Sequence, residues 1–167
     1  MLTVLLGGAR SGKSAAAERW GRAHAGPVAI VATGEPLDPE MRERIDRHRA
    51  DRPADWQVIE EPLDLTGAIE GVPRDAFVIV DCLTTWLGNV MFHGLVPDLD
   101  ATLAAITDRP GRTVVISNEV GCGIVPADPG TRGYRDELGR LNQRFVAAAT
   151  DAYLLVAGRA LRLDQLE

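Results

Sequence analysis

Only two cysteines, Cys82 and Cys122, occur among the 167 residues of the chain. They stand far apart and no C-x-x-C pair is present, so both read as reduced thiols of a cytoplasmic protein. Long apolar runs are missing too, and none approaches the roughly 18 residues of a membrane span. The chain opens on a strand-like segment, without the basic region and apolar segment of an export signal. Positive charge is in deficit: 18 Lys and Arg against 24 Asp and Glu give a net charge of −6. That excludes a nucleic-acid-binding surface covering the whole molecule. Repeats, linkers and low-complexity tracts are absent. What remains, 46% hydrophobic and 25% charged residues, is the composition of one globular domain, 1–167, long enough to bury a real core.

The first informative stretch comes at once. The apolar run Leu2-Thr3-Val4-Leu5-Leu6 is too short for a helix and leads into Gly7-Gly8-Ala9-Arg10-Ser11-Gly12-Lys13-Ser14, which fits G-x-x-x-x-G-K-S. The Ala-rich run 15–20 that follows has helical character. Strand, phosphate-binding loop and helix are therefore expected in that order. Gly7, Gly8 and Gly12 allow the backbone to turn its N–H groups onto an anion, and the helix N-terminus adds partial positive charge. In this reading Lys13 reaches the β- and γ-phosphates and the Ser14 hydroxyl ligates magnesium.

Farther along, Val28–Ala32 reads as a buried strand whose C-terminal edge carries Thr33-Gly34, where open α/β sheets bind ligands. Asp38-Pro39-Glu40 supplies a cap, a first-turn proline and an acidic first turn for a helix over 39–50. On it Met41, Ile45 and His48 share one face, surrounded by Arg42, Arg44, Arg47, Arg49 and, just beyond, Arg52. A histidine so placed is ordinarily a hydrogen-bonded side chain on an apolar face. A sharper reading is that the arginines bind a polyphosphate and His48 attacks it, since neutral imidazole is a competent nucleophile toward phosphorus.

Residues 56–60 read as a third strand and 62–69 as a short helix. Phe77-Val78-Ile79-Val80-Asp81 is a Walker-B pattern, with Asp81 set to hold magnesium opposite Ser14. Helices are expected over 82–93, 98–107 and 134–150, and strands over 113–117 and 152–156, with a short edge strand over 159–163. Asn118 and Glu119, at a strand end ahead of a Gly-rich loop, are candidate site residues. Strands alternating with helices predict an α/β fold, a mostly parallel central sheet with helices on both faces.

Taken together, GGARSGKS, the ATG of the second strand, RIDRHRADRP-x-x-W, VDCLTTW, SNEVGCGIVP and YRDELGRLNQRFVAAATD resemble the bifunctional adenosylcobinamide kinase / adenosylcobinamide-phosphate guanylyltransferase family of cobalamin biosynthesis. The resemblance runs from Leu2 to about Val156. It implies a P-loop NTPase fold of RecA-like type, usually a homotrimer, and two reactions. ATP or GTP first phosphorylates adenosylcobinamide; GTP then transfers GMP to adenosylcobinamide phosphate through a guanylyl-histidine intermediate, releasing pyrophosphate. By the same resemblance His48 is the guanylylated residue, and Gly7 to Ser14, including Ala9, Arg10 and Ser11, form the phosphate loop. Ala32, Thr33 and Gly34, then Arg49, Ala50, Asp51 and Arg52, match further GTP-binding segments, and Glu60 and Asp81 match acidic positions of that site. Asp81 serves metal, guanine or both. Apart from the resemblance, Asn118 and Glu119 are candidates for the kinase step from their place at the strand end.

Two other readings compete. A nucleotide switch needs an N-K-x-D element after a strand, and Ser117-Asn118-Glu119-Val120 is not one. A small-molecule P-loop kinase without the transferase step differs in having no use for His48.

Overall fold

The computed structural model describes residues 1–36, 39–50 and 52–165, with residues 40, 41, 44, 48 and 50 described by backbone only. The expected cap Asp38, the predicted site residue Asp51, and the side chains of Met41, Arg44, His48 and Ala50 therefore lie outside the described residues. In chain order the elements are β1 (Leu2–Gly7), α1 (Lys13–Arg22), β2 (Val28–Ala32), α2 (Pro39–Ala50), β3 (Gln57–Glu60), α3 (Leu65–Glu70), β4 (Phe77–Asp81), α4 (Leu83–Phe92), α5 (Leu99–Thr107), β5 (Thr113–Ile116), α6 (Pro129–Ala148), β6 (Asp151–Val156) and β7 (Arg159–Arg162).

The strands form one sheet in the order β3-β2-β4-β5-β1-β6-β7. All neighbours are parallel except β6 and β7, which form an antiparallel hairpin at the edge. Parallel neighbours need crossovers, which the intervening helices supply. Central strands covered on both faces read as continuous apolar runs, and β1 is buried from Leu2 to Gly7. Alternate residues go to opposite faces. Leu5, Ile30, Ile79 and Val114 pack with Ala16 and Ala17 of α1 and with Trp56. Val4, Val31, Val80 and Val115 pack with Ile69 of α3, Trp86 of α4, Ile106 of α5 and Phe145 of α6. The helices thus cover both faces, as expected, but unevenly.

Most boundaries shift by a residue or two, and two helix starts differ from the sequence expectation by more. Helix α3 begins at Leu65 rather than Pro62, because the Asp64 carboxylate accepts the Gly67 N–H and sets the cap there. Helix α6 begins at Pro129, well before Tyr134: the Asp128 carboxylate accepts the Thr131 N–H at 2.7 Å and Pro129 occupies the first turn. Among the described residues no helix is long and apolar enough to cross a membrane.

Candidate active site

Strand register puts the predicted residues along one edge. Glu60 is level with Ala32, Ala32 with Asp81, Asp81 with Ile116, and Ile116 with Leu5. Four strands therefore end at one height, with β1 running two residues farther to Gly7, and the Glu60 and Asp81 backbones lie two strand spacings, about 10 Å, apart. The phosphate loop rises from β1 near the middle of this edge. It leaves the sheet at Gly7, whose φ of +151° and close approach to β6 exclude a side chain: a Cβ there would lie 2.4 Å from the Leu155 carbonyl oxygen.

Lys13, the first residue of α1, is buried. Its ammonium donates to the Gly7 carbonyl at 2.8 Å, the Gly8 carbonyl at 2.7 Å and the Ser11 hydroxyl at 3.2 Å. Burial pushes its pKa down, and the charges of Cys82 and Asp81 oppose that shift. A phosphate oxygen is a stronger partner for an ammonium than a neutral carbonyl, so these bonds can be exchanged for contacts with a bound anion. The β6–β7 hairpin braces the loop from outside, with the Gly158 N–H donating to the Ser11 carbonyl at 2.9 Å.

A cavity of about 660 Å³ opens over the loop. Residues 9–15 form one wall; Asp81, Cys82, Ile116 and Asn118 form the strand-edge wall; and Glu43 and Arg47 of α2 close it from above. The structure thus brings together the loop, the Walker-B carboxylate, Asn118 and the helix that bears His48. Glu43 and Arg47, four apart on one face, are joined by an ion pair of 2.8 Å. Backbone position 48 follows directly on the helix, about 100° round its axis from Arg47.

Among the described residues, Thr33, Gly34, Arg49, Arg52, Glu60 and Glu119 do not line this cavity. Thr33 is fully buried, and its hydroxyl both donates to the Cys82 carbonyl at 2.8 Å and accepts the Cys82 N–H at 2.9 Å. It thereby stitches the end of β2 to the end of β4. Gly34 lies under α2, where a Cβ would come within 3.1 Å of the Ile45 side chain. Arg49 turns toward β3 and pairs with Glu60, its Nε donating at 3.1 Å, and this hydrogen bond raises the Arg49 pKa. Arg52 is half-buried beyond the helix end. The arginine collar therefore divides: Arg47 faces the loop and Arg49 holds the sheet edge. The Glu119 carboxylate accepts the Gly121 N–H of its own loop, and the Glu119 N–H donates to the Gly7 carbonyl at 3.1 Å.

Among the described residues no group of three or more His, Cys, Asp or Glu is placed to hold a metal. Magnesium bound with a nucleotide needs only one or two protein oxygens, the rest coming from phosphates and water. Ser14 and Asp81, on facing walls of one cavity, fit that requirement. Sequence reasoning missed Glu43, although its spacing of four from Arg47 was the available signal. It also missed the side chains that hold Asn118, which α4 and α6 bring in from distant parts of the chain.

Comparison with known proteins agrees with this architecture. Residues 3–163 match the family described as cobinamide kinase / cobinamide phosphate guanyltransferase. The bifunctional adenosylcobalamin biosynthesis protein CobP of Pseudomonas aeruginosa is 39% identical over 98% of this chain and 97% of its own length. The corresponding protein CobU of Salmonella typhimurium is 35% identical, with 98% of this chain and 99% of the relative covered. In fold alone, the chain is similar to the flagellar accessory protein FlaH of Methanocaldococcus jannaschii, with a TM-score of 0.55 and 12% identity over 95% of this chain and 74% of that one. A RecA-like P-loop sheet, a G-x-x-x-x-G-K-S loop sharing a cavity with Asp81, and matches over nearly the whole length converge on one conclusion: the chain belongs to the cobinamide kinase / cobinamide phosphate guanyltransferase family.

Proposed function

We propose that the chain phosphorylates adenosylcobinamide with ATP or GTP and then guanylylates the product, with one cavity serving both steps. In the first, the aminopropanol hydroxyl of adenosylcobinamide attacks the γ-phosphorus of the nucleoside triphosphate, and the diphosphate departs. In the second, a ring nitrogen of His48 attacks the α-phosphorus of GTP: a P–N bond forms, the bond to the bridging oxygen breaks, and pyrophosphate leaves. A phosphate oxygen of adenosylcobinamide phosphate then displaces the imidazole, giving adenosylcobinamide-GDP and free His48. Splitting the transfer in this way replaces one difficult displacement by two easier ones.

The observation that carries this reading is the shared cavity, in which Glu43 and Arg47 of the His48 helix lie across from Arg10, Lys13 and Ser14. Each transfer depends on positioning and on neutralising phosphate charge. Loop amides cradle the phosphates, while Lys13, Arg10 and Arg47 offset their charge. Ser14 and Asp81 would hold magnesium, which would supply positive charge against the bound phosphates. Thr33, Gly34, Arg49, Arg52 and Glu60 support the guanosine end of the same site, Asp51 and Ala50 belonging with them by sequence. Asn118 and Glu119 serve the corrinoid acceptor. A cytoplasmic homotrimer is part of the same proposal, and light scattering on the purified protein measures its mass.

Incubation with GTP labelled at the α-phosphate, with magnesium, is expected to give an acid-labile, base-stable protein adduct that His48→Ala abolishes. An unlabelled wild type, or full labelling of His48→Ala, would overturn the transferase step. A kinase confined to the first reaction would phosphorylate adenosylcobinamide and show no adduct.

A further inference from the structure

Asn118 follows directly on β5 and Ser117, at the edge where the sheet ladder stops, and it lines the phosphate cavity opposite Lys13. Its peptide groups are nonetheless fully held, and by side chains rather than by a neighbouring strand. The Asn118 N–H donates to the Thr84 hydroxyl of α4 at 2.7 Å. The Asn118 carbonyl accepts from Asn142 Nδ2 of α6 at 3.1 Å. A third side chain fixes the first of these partners, since the Tyr134 hydroxyl of α6 donates to the Thr84 carbonyl at 2.8 Å. On either side the main chain is pinned to β1: the Ser117 N–H donates to the Leu5 carbonyl at 2.9 Å and the Glu119 N–H to the Gly7 carbonyl at 3.1 Å.

This clamp carries a cost of its own. Asn142 is buried, and among the described residues its Oδ1 has no hydrogen-bond partner; the same is true of the fully buried Ser117 Oγ. Buried polar atoms are ordinarily paired, and an unpaired one is unfavourable. An apolar side chain at position 142 would avoid that penalty in a helix face otherwise made of Leu138, Leu141 and Phe145. The amide does what an apolar residue there could not, namely hold the Asn118 carbonyl.

We propose that Thr84 and Asn142 are positioning residues that lock the Asn118 peptide, so that the Asn118 carboxamide is presented to the phosphate cavity during phosphoryl transfer. The inference rests on the reading of that cavity as the transfer site. Amide and hydroxyl groups on two helices thereby determine the geometry of a third residue that neither helix carries. A shift of about 1 Å in a group facing a transferring phosphate is enough to cost up to 100-fold in rate.

The test measures kcat and KM for phosphorylation of adenosylcobinamide, nucleotide affinity by titration, and thermal unfolding, on the full chain. Thr84→Val removes the hydroxyl at constant volume; Asn142→Asp replaces the donor at similar volume; Thr84→Ser keeps the hydroxyl. Thr84→Val and Asn142→Asp are expected to lower kcat about 10- to 100-fold with nucleotide affinity unchanged, and Thr84→Ser to restore it. Combining Thr84→Val with Asn118→Ala is expected to add no loss beyond that of Asn118→Ala alone, a result a merely structural role would not give. Wild-type kcat in folded Thr84→Val and Asn142→Asp, or full additivity with Asn118→Ala, would overturn the proposal and leave the assignment of the cavity standing. A wild type that binds nucleotide but never phosphorylates adenosylcobinamide would overturn the functional reading and this proposal with it.

Discussion

The phosphate loop and helix α2 face each other across one cavity, yet they are held by different forces. The loop springs from a strand buried along its whole length, packs against Leu155 at Gly7 and is bonded to the hairpin at Ser11. Helix α2 contributes none of its described residues to either core. It is held by Ile45 over Gly34 and by ion pairs such as Arg49 with Glu60, whose side chains are 53% and 47% exposed. Exposed pairs of this kind add little stability and are screened by salt. Chemistry on the loop is therefore inseparable from the integrity of the sheet, whereas charge on α2 can change at little expense to folding.

Four experiments put that contrast under strain. The largest effect is expected for Lys13→Ala, which should depress nucleotide-dependent transfer about a thousandfold, against about tenfold for Arg47→Ala on the opposite wall. Steady-state rates and GTP titration compare the two, and a larger loss at Arg47 would reverse the contrast. Next, Gly7→Ala forces a side chain against backbone at positive φ and should destabilise the fold by about 2 kcal/mol or more. Ile45→Ala on α2 should lose only about 1 kcal/mol, and denaturant unfolding of the pair reads the difference.

A smaller effect comes from alkaline titration. Burial, with the charge of Cys82 adding to it, pushes the Tyr134 phenol up to about 12, while an unfolded tyrosine titrates near pH 10. The folded state favours the neutral phenol. Its contribution is therefore complete below about pH 10 and lost between about pH 10 and 12, on the order of 1 kcal/mol after solvent screening. Urea midpoints across that range should fall for the wild type, and the fall should be correspondingly smaller in Tyr134→Phe. Last, Arg49→Gln should move the melting temperature by about a degree or less at low salt and not at all at ~1 M. A salt-resistant drop of several degrees would mean that α2 is anchored as firmly as the loop.

Much of this arrangement was legible in the sequence, for identifiable reasons. Strands β1, β2, β4 and β5 declare themselves because a parallel sheet covered on both faces needs unbroken apolar runs. The G-x-x-x-x-G-K-S loop is legible because close backbone approach and φ above zero restrict which residues can serve. The start of α6 was hidden because Gly130 and Gly133 weaken the helical pattern of its first turn, although Asp128-Pro129 is the same signal that marks α2 at Asp38-Pro39. The division of the arginines between Arg47 and Arg49 was not legible, since helical spacing gives the face of each residue but not what lies beneath it. Nor was the clamp on Asn118, whose members at 84, 118 and 142 carry no local pattern. Such contacts are set by how elements stack.

The register of β1 has a consequence for biosynthesis. The strand that carries the nucleotide loop is the first to be made, but its neighbours in the sheet begin at Thr113 and Asp151. Emerging from the ribosome, Leu2–Gly7 has no ladder to join until β5 and β6 have followed. Local segments can form early, whereas the long-range pairing that shapes the phosphate loop must come late. A nascent chain arrested before β6 should therefore leave an apolar strand exposed to chaperones and bind no nucleotide, and ligand capture would report that β6 has taken its place beside β1.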